Sequence, residues 1–220
     1  MKSIVIALLL SVTAALGPAQ VITNYSLSLN ASIPDGSPVG LMEQFTASGL
    51  SGSVSNIQVH LDITGGFNGD LYAYLVNPQG QLSVLLNRVG VTTGNPFGYS
   101  DSGMNITLDG WAANNIHSYA AGGPASYSLS DTIWAADGRN IDPQSAGSLF
   151  RTASASANLG IYQNTAPNGI WTFFIADLSG GGSATLNQVV LTIMTVPEPQ
   201  AWVPLCGGLA LWLCLRKWRM

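Results

Sequence analysis

Apolar and polar residues alternate with a strand-like period in one stretch after another of this chain. Ile57, Val59, Leu61 and Ile63 alternate with Gln58, His60 and Asp62, the pattern of a strand with one buried face. Residues 71–76 form a second apolar run, and 83–86 a third. Gly65-Gly66 and Asn68-Gly69-Asp70 supply the turn between the first two runs, and Asn77-Pro78-Gln79-Gly80 supplies the next in the Pro-then-Gly order of a tight turn. The stretch 57–86 is therefore expected to be a three-stranded β-meander, with the rest of the chain organised around it.

Residues 21–29 alternate as a first strand, Ile33-Pro34-Asp35-Gly36 reads as a turn, and 43–47 as a second, short strand. A loop-rich segment over 90–102 carries Phe97 and Tyr99, and Met104, Ile106 and Leu108 alternate up to Asp109-Gly110. Residues 116–149 have few clear periods and several Gly, Pro and Asp-Gly signals, so long connections with isolated short strands are expected there. Trp171, Phe173 and Ile175 share one face while Ile170, Thr172, Phe174 and Ala176 share the other. A run apolar on both sides predicts a central strand between layers. The last strand spans 184–195, with Leu186 or Val189 marking its buried face.

Composition supports an all-β chain. Only 8% of the 220 residues are charged, whereas helix surfaces draw on Glu, Lys and Arg. The length fits one domain with a real core plus targeting segments. Arg88, Arg139 and Arg151 are the basic residues between the two ends, against ten acidic residues from Asp35 to Asp177. Three minus ten gives the interior a formal charge of −7. Phosphate binding needs clustered Lys and Arg, so this balance argues against a nucleic-acid ligand. Both cysteines, Cys206 and Cys214, lie in the C-terminal apolar segment, leaving the domain without a disulfide or a thiol nucleophile. With His60 and His117 the only soft ligands left, zinc is disfavoured.

The ends read as targeting segments. A basic start, an apolar core and small residues over 1–19 form a secretory signal peptide. At the other end Val196-Pro197-Glu198-Pro199 precedes an apolar segment, 201–215, and a basic terminus with Arg216, Lys217 and Arg219. As a helix, 201–215 would span about 22 Å against a hydrocarbon core of about 30 Å, short for a permanent anchor. The basic terminus favours the cytoplasmic side, which puts the domain at 20–195 outside the inner membrane.

Two resemblances follow from these residues. The order Gly69-Asp70-Leu71, Pro78-Gln79-Gly80 and Ser83-Val84-Leu85-Leu86 resembles the P domain that follows the catalytic domain of kexin- and furin-type proprotein convertases. Gly169-Ile170-Trp171-Thr172-Phe173-Phe174-Ile175-Ala176-Asp177 is similar to that family's second signature. The resemblance implies a jelly-roll β-sandwich, P-domain-like, followed here by a single C-terminal transmembrane helix. Family members often carry His where Gly65 sits, so any role of that side chain is absent. The tail at 196–220 resembles a PEP-CTERM sorting signal. It implies cleavage near Pro197-Glu198-Pro199 by an exosortase, a transient stay in the inner membrane, and delivery to the surface or extracellular matrix of a Gram-negative cell that makes exopolysaccharide.

Candidate chemistry is sparse. His60 lies on the polar side of a strand, His117 in a loop, and Gly-x-Ser-x-Gly is missing, so no hydrolase constellation is legible. Hard oxygen ligands from loops suit calcium, and P domains of bacterial proteases often carry it. The expected ligands are Asp62 and Asp70, with Asp101, Asp109 and Asp177 converging from other strand ends. Plain turn formers are the other reading of these aspartates. For a glycan, Tyr72, Tyr74, Phe97, Tyr99, Trp111 and Trp134 are the candidate stacking rings; Tyr72 and Tyr74 read better as core or cross-strand pairs, whereas Phe97, Tyr99 and Trp111 sit by loops, and Tyr99 and Trp111 are the expected contacts. The expected function is a non-enzymatic surface or matrix component whose sandwich serves adhesion. A polysaccharide-binding module, and an accessory domain for a separate protease among envelope proteins, are the alternatives.

Overall fold

A computed structural model describes residues 19–123 and 128–197. The expected leader and sorting tail lie outside these residues apart from Ala19, Val196 and Pro197, and so do Glu198, Pro199, Arg216, Lys217 and Arg219. Among the described residues no helix is long and apolar enough to cross a membrane.

Among the described residues nine strands follow one another: β1 (Val21–Ile33), β2 (Ser37–Ala47), β3 (Ser53–Gly65), β4 (Leu71–Val76), β5 (Leu82–Asn87), β6 (Met104–Asp109), β7 (Ser130–Trp134), β8 (Gly169–Asp177) and β9 (Ala184–Val196). One short helix, α1 (Gly147–Thr152), sits in the long connection before β8. The strands form two sheets, ordered β1-β9-β3-β6-β7 and β2-β8-β4-β5, and the whole is an all-β sandwich. Val59, Leu61, Ile63, Ile106, Leu191 and Ile193 from the first sheet meet Leu71, Leu75, Trp171, Phe173 and Ile175 from the second in one buried core. Trp171 is anchored there by its indole N–H, which donates to the Pro167 carbonyl at 2.9 Å.

The expected meander is corrected by the sheet order. β3 belongs to one sheet and β4 to the other, so only β4 and β5 form a hairpin. The glycines explain the crossing. Gly65 and Gly66 both have positive φ and turn the chain out of the first sheet, and a short 3₁₀ turn at Asn68–Asp70 delivers it to the second.

β8 is central within its own sheet, between β2 and β4, rather than sandwiched between layers. Its second apolar face is the outer one, where Phe174 stacks on Tyr74 with ring centroids 4.8 Å apart. In β9 both Leu186 and Val189 are buried, although a spacing of three should place them on opposite faces. A register shift explains it: Asp62 pairs with Gln188 and Ile63 with Leu186, so Asn187 bulges out of the ladder.

Candidate functional site

The turn between β3 and β4 is held against the loop that carries Phe97 and Tyr99. Asn68 N–H donates to the Asp101 carbonyl at 2.9 Å, Gly69 N–H to the Tyr99 carbonyl at 2.8 Å, and Tyr99 N–H to the Val89 carbonyl at 2.9 Å. The two backbones touch because both contact residues are glycines. A Cβ on Gly98 would stand 2.7 Å from Gly69 Cα, and one on Gly69 would stand 2.5 Å from the Phe97 carbonyl oxygen. Tyr99 is half-buried, its ring packed on Tyr119 at a centroid distance of 4.6 Å. Burial holds its phenol above the ordinary tyrosine range.

This clamp forms a cleft of about 320 Å³, walled by Phe67, Phe97, Tyr99, Ser100 and Ser179 with Asp70 on its lining. Phe97 is 76% exposed, an unusual position for a phenyl ring. Asp70 is buried, with the Arg88 guanidinium 3.9 Å away. Desolvation raises its carboxyl above the usual range, while Ser179 and Arg88 pull it back.

Behind Asp70 stands Asp177, at the end of β8 and directly opposite Leu71 in the register of β4. Asp177 is 1% exposed. One carboxylate oxygen accepts the Ser179 N–H at 3.3 Å, and the other is buried with no hydrogen-bond partner. Desolvation, with the charges of Asp70 and Asp35 adding to it, pushes this carboxyl up to about 6. Asp35 comes from the turn before β2 and accepts the Gly181 N–H at 3.3 Å. Three carboxylates thus gather at one end of the four-stranded sheet.

The five aspartates expected to converge on calcium are divided: Asp70 and Asp177 come together at the cleft, Asp62 and Asp101 lie on another groove, and Asp109 stands apart. Asp62 accepts from the Asn187 amide at 3.2 Å. Asp101 accepts the Tyr119 hydroxyl at 2.9 Å. Asp62 and Asp101 both line a separate polar groove of about 480 Å³ with Thr64, Ser102, Asn105 and Ser130. Asp109 lies at the far end of β6 and takes three donors, from Asn56 at 2.7 Å, Gln58 at 2.9 Å and the Trp111 backbone at 2.8 Å. Such a carboxylate is a strand-end cap with its acceptors in use. Among the described residues no group of three His, Cys, Asp or Glu side chains stands close enough to hold a metal ion. The residues present therefore do not fit the expected five-aspartate calcium set.

Tyr99 and Trp111 are likewise separated. Met104 pairs with Ile63 at the cleft end of β3, and Asp109 pairs with Gln58 toward the other end. The intervening strand is about 17 Å long at the usual rise. Trp111, 57% exposed, stands beyond that far end. Phe97, one of the loop aromatics expected to meet a glycan, lies at the cleft end with Tyr99, and Asp35 completes that end but was not in the expected set because turn chemistry already accounted for it.

The histidines are committed to neighbours. His60 Nδ1 is 3.4 Å from the Thr107 hydroxyl. His117 is buried, with Nδ1 2.6 Å from an Asp137 carboxylate oxygen and Nε2 3.2 Å from the Val91 carbonyl. Arg139 holds the other Asp137 oxygen at 3.0 Å.

No family model matches the chain, and no curated protein matches it in sequence. Among solved structures it is similar to the serine protease of Aeromonas sobria, with a TM-score of 0.44 and 13% identity over 81% of this chain and 27% of that one. It is also similar to a chain in the complex of that protease with the chaperone ORF2, with a TM-score of 0.47 and 12% identity over 82% of this chain and 28% of that one. The chain thus spans less than a third of the length of the structures it matches.

Proposed function

We propose that this chain is an exported, non-enzymatic component of the cell surface or extracellular matrix, whose P-domain-like jelly roll serves as an interaction module. Export rests on the leader pattern at 1–19, and sorting by an exosortase on Pro197-Glu198-Pro199 with the apolar and basic segments that follow. The observation that carries the interaction reading is the cleft at Asp70, where Phe97 projects into solvent beside a carboxylate and two serines. Phenyl faces stack on the apolar faces of sugar rings, a carboxylate accepts hydroxyl protons, and serines both give and take them. A hydroxyl-rich glycan, such as the exopolysaccharide around the mature protein, matches that combination.

Retention of the purified protein on immobilised exopolysaccharide tests this reading. Phe97→Ala should weaken retention at least tenfold while leaving the thermal midpoint unchanged, because the ring packs against little. Trp111→Ala, at the other end of β6, should leave retention as it was. Equal retention of all three proteins, or none by the unaltered chain, overturns the glycan reading of the cleft.

A further inference from the structure

We propose that the cleft at Phe97 selects sugars that carry a free ammonium group, so that its ligand is a glycan containing non-acylated amino sugars. This selectivity rests on the glycan reading above and narrows it to one class. The fold gathers charge at the cleft and leaves much of it unanswered. Asp70 lines the cleft although it is only 7% exposed. Ser179, on the cleft wall, links Asp70 to the carboxylate behind it. Its side chain hydrogen-bonds Asp70, and its N–H donates to Asp177 Oδ1 at 3.3 Å. The other Asp177 oxygen is buried without a hydrogen-bond partner, an arrangement that costs free energy until a cation answers it. Asp35 stands near enough for its charge to act on both.

Against these three carboxylates stands Arg88, 3.9 Å from Asp70. Its guanidinium also donates to the Gly69 carbonyl at 3.2 Å and the Pro96 carbonyl at 3.5 Å, so it is shared with the backbone of the clamp. Three negative charges less one positive leave −2 at the cleft end. A cleft with low-dielectric walls focuses such a field.

The chemistry of the ligand follows from that balance. An acidic sugar is repelled, and a neutral one leaves the charge as it was. Calcium takes about six to eight oxygens, and among the described residues no three acidic or other metal-binding side chains stand close enough to hold an ion. An ammonium asks for less. Its three N–H groups need three acceptors, which Asp70 and the hydroxyls of Ser100 and Ser179 supply from the cleft lining. Phe97 adds the second half of the match, because an exposed phenyl face both stacks on a sugar ring and attracts a cation. An amino sugar brings the ring face and the positive charge in one residue.

Calorimetric titration of the purified protein at neutral pH tests the proposal, with chito-oligosaccharides of one length, either fully deacetylated or fully N-acetylated, as the probes. The unaltered chain should bind the deacetylated oligomer roughly tenfold more tightly. Asp70→Asn should bring the two affinities within about twofold of each other, and Asp177→Asn should shrink the preference. Asp109→Asn removes the same charge at the other end of β6 and should keep it. The preference is a ratio within one protein, so a small loss of folded material cancels. Equal affinity for the two oligomers, binding of neither, or a preference that survives Asp70→Asn each overturns the proposal. Retention on exopolysaccharide judges the glycan reading separately, so a chain that is retained there without preferring the amine keeps that reading and loses this one.

Discussion

At the scale of single residues, Asp177 is the least comfortable group in the sandwich. Its carboxyl is raised to about 6 in the folded chain from an ordinary value of 3.8, with burial the largest cause. Between those values the folded state binds more protons than the unfolded one, so the contribution of Asp177 to stability falls as pH rises. Below about pH 4 the group is neutral in both states and costs nothing extra. Above about pH 6 the folded chain must hold the buried charge. Asp177→Asn should therefore stabilise the fold at pH 7.5 by on the order of 1–2 kcal/mol, seen as a higher thermal midpoint, and change it little at pH 4. Melting curves of both proteins at the two pH values check this; an equal change at both would mean that the charge is not the source. Asp70 was legible in the sequence because Gly-Asp-Leu follows a β-branched run. The partnership of Asp177 with Asp35 was not, because nothing in the local pattern says which strand ends meet.

At the scale of elements, most strands could be read from alternation: Ile57, Val59, Leu61 and Ile63 are all buried in β3, and Met104, Ile106 and Leu108 in β6. The failure lay in pairing. Alternation reports which face of a strand is buried but not which sheet owns it, and β3 and β4 look like neighbours until Gly65 and Gly66 carry the chain across the layers. β2 was read too short because Pro38 and Gly40 look like loop residues, whereas a register break accommodates them within an edge strand. The same dependence on close backbone approach governs the cleft. Gly98 has φ +74° and lies where a Cβ would meet the Val89 carbonyl oxygen at 2.6 Å and Gly69 Cα at 2.7 Å. Gly98→Ala should cost about 1–3 kcal/mol through strain and displacement, and should weaken glycan retention by moving Phe97 and Tyr99. Denaturant unfolding beside the retention assay separates the two losses, and a variant with full stability would show that the loop is not clamped there.

At the scale of the whole molecule, the sandwich concentrates negative charge without neutralising it. The interior holds three basic residues, and Arg139 is engaged with Asp137, so the Asp35, Asp70 and Asp177 end has Arg88 as its nearby cation. Any salt should stabilise such a molecule somewhat by screening, so a rise in midpoint with calcium alone would decide little. The informative comparison is calcium against sodium at equal ionic strength. Binding to the folded state alone raises the midpoint continuously as the ion exceeds its dissociation constant, whereas screening is matched by the sodium control. If Asp70 and Asp177 form a reduced calcium site, the excess rise should appear in the unaltered chain, vanish with chelator, and be lost in Asp70→Asn and Asp177→Asn. It should persist in Asp109→Asn relative to that variant's own baseline, because Asp109 spends its oxygens on Asn56, Gln58 and Trp111 at the other end of β6. No excess over sodium would leave the three carboxylates as an unneutralised field beside the cleft. The same charge that makes Asp177 costly would then act on ligands directly, favouring neutral or cationic glycans over acidic ones at Phe97.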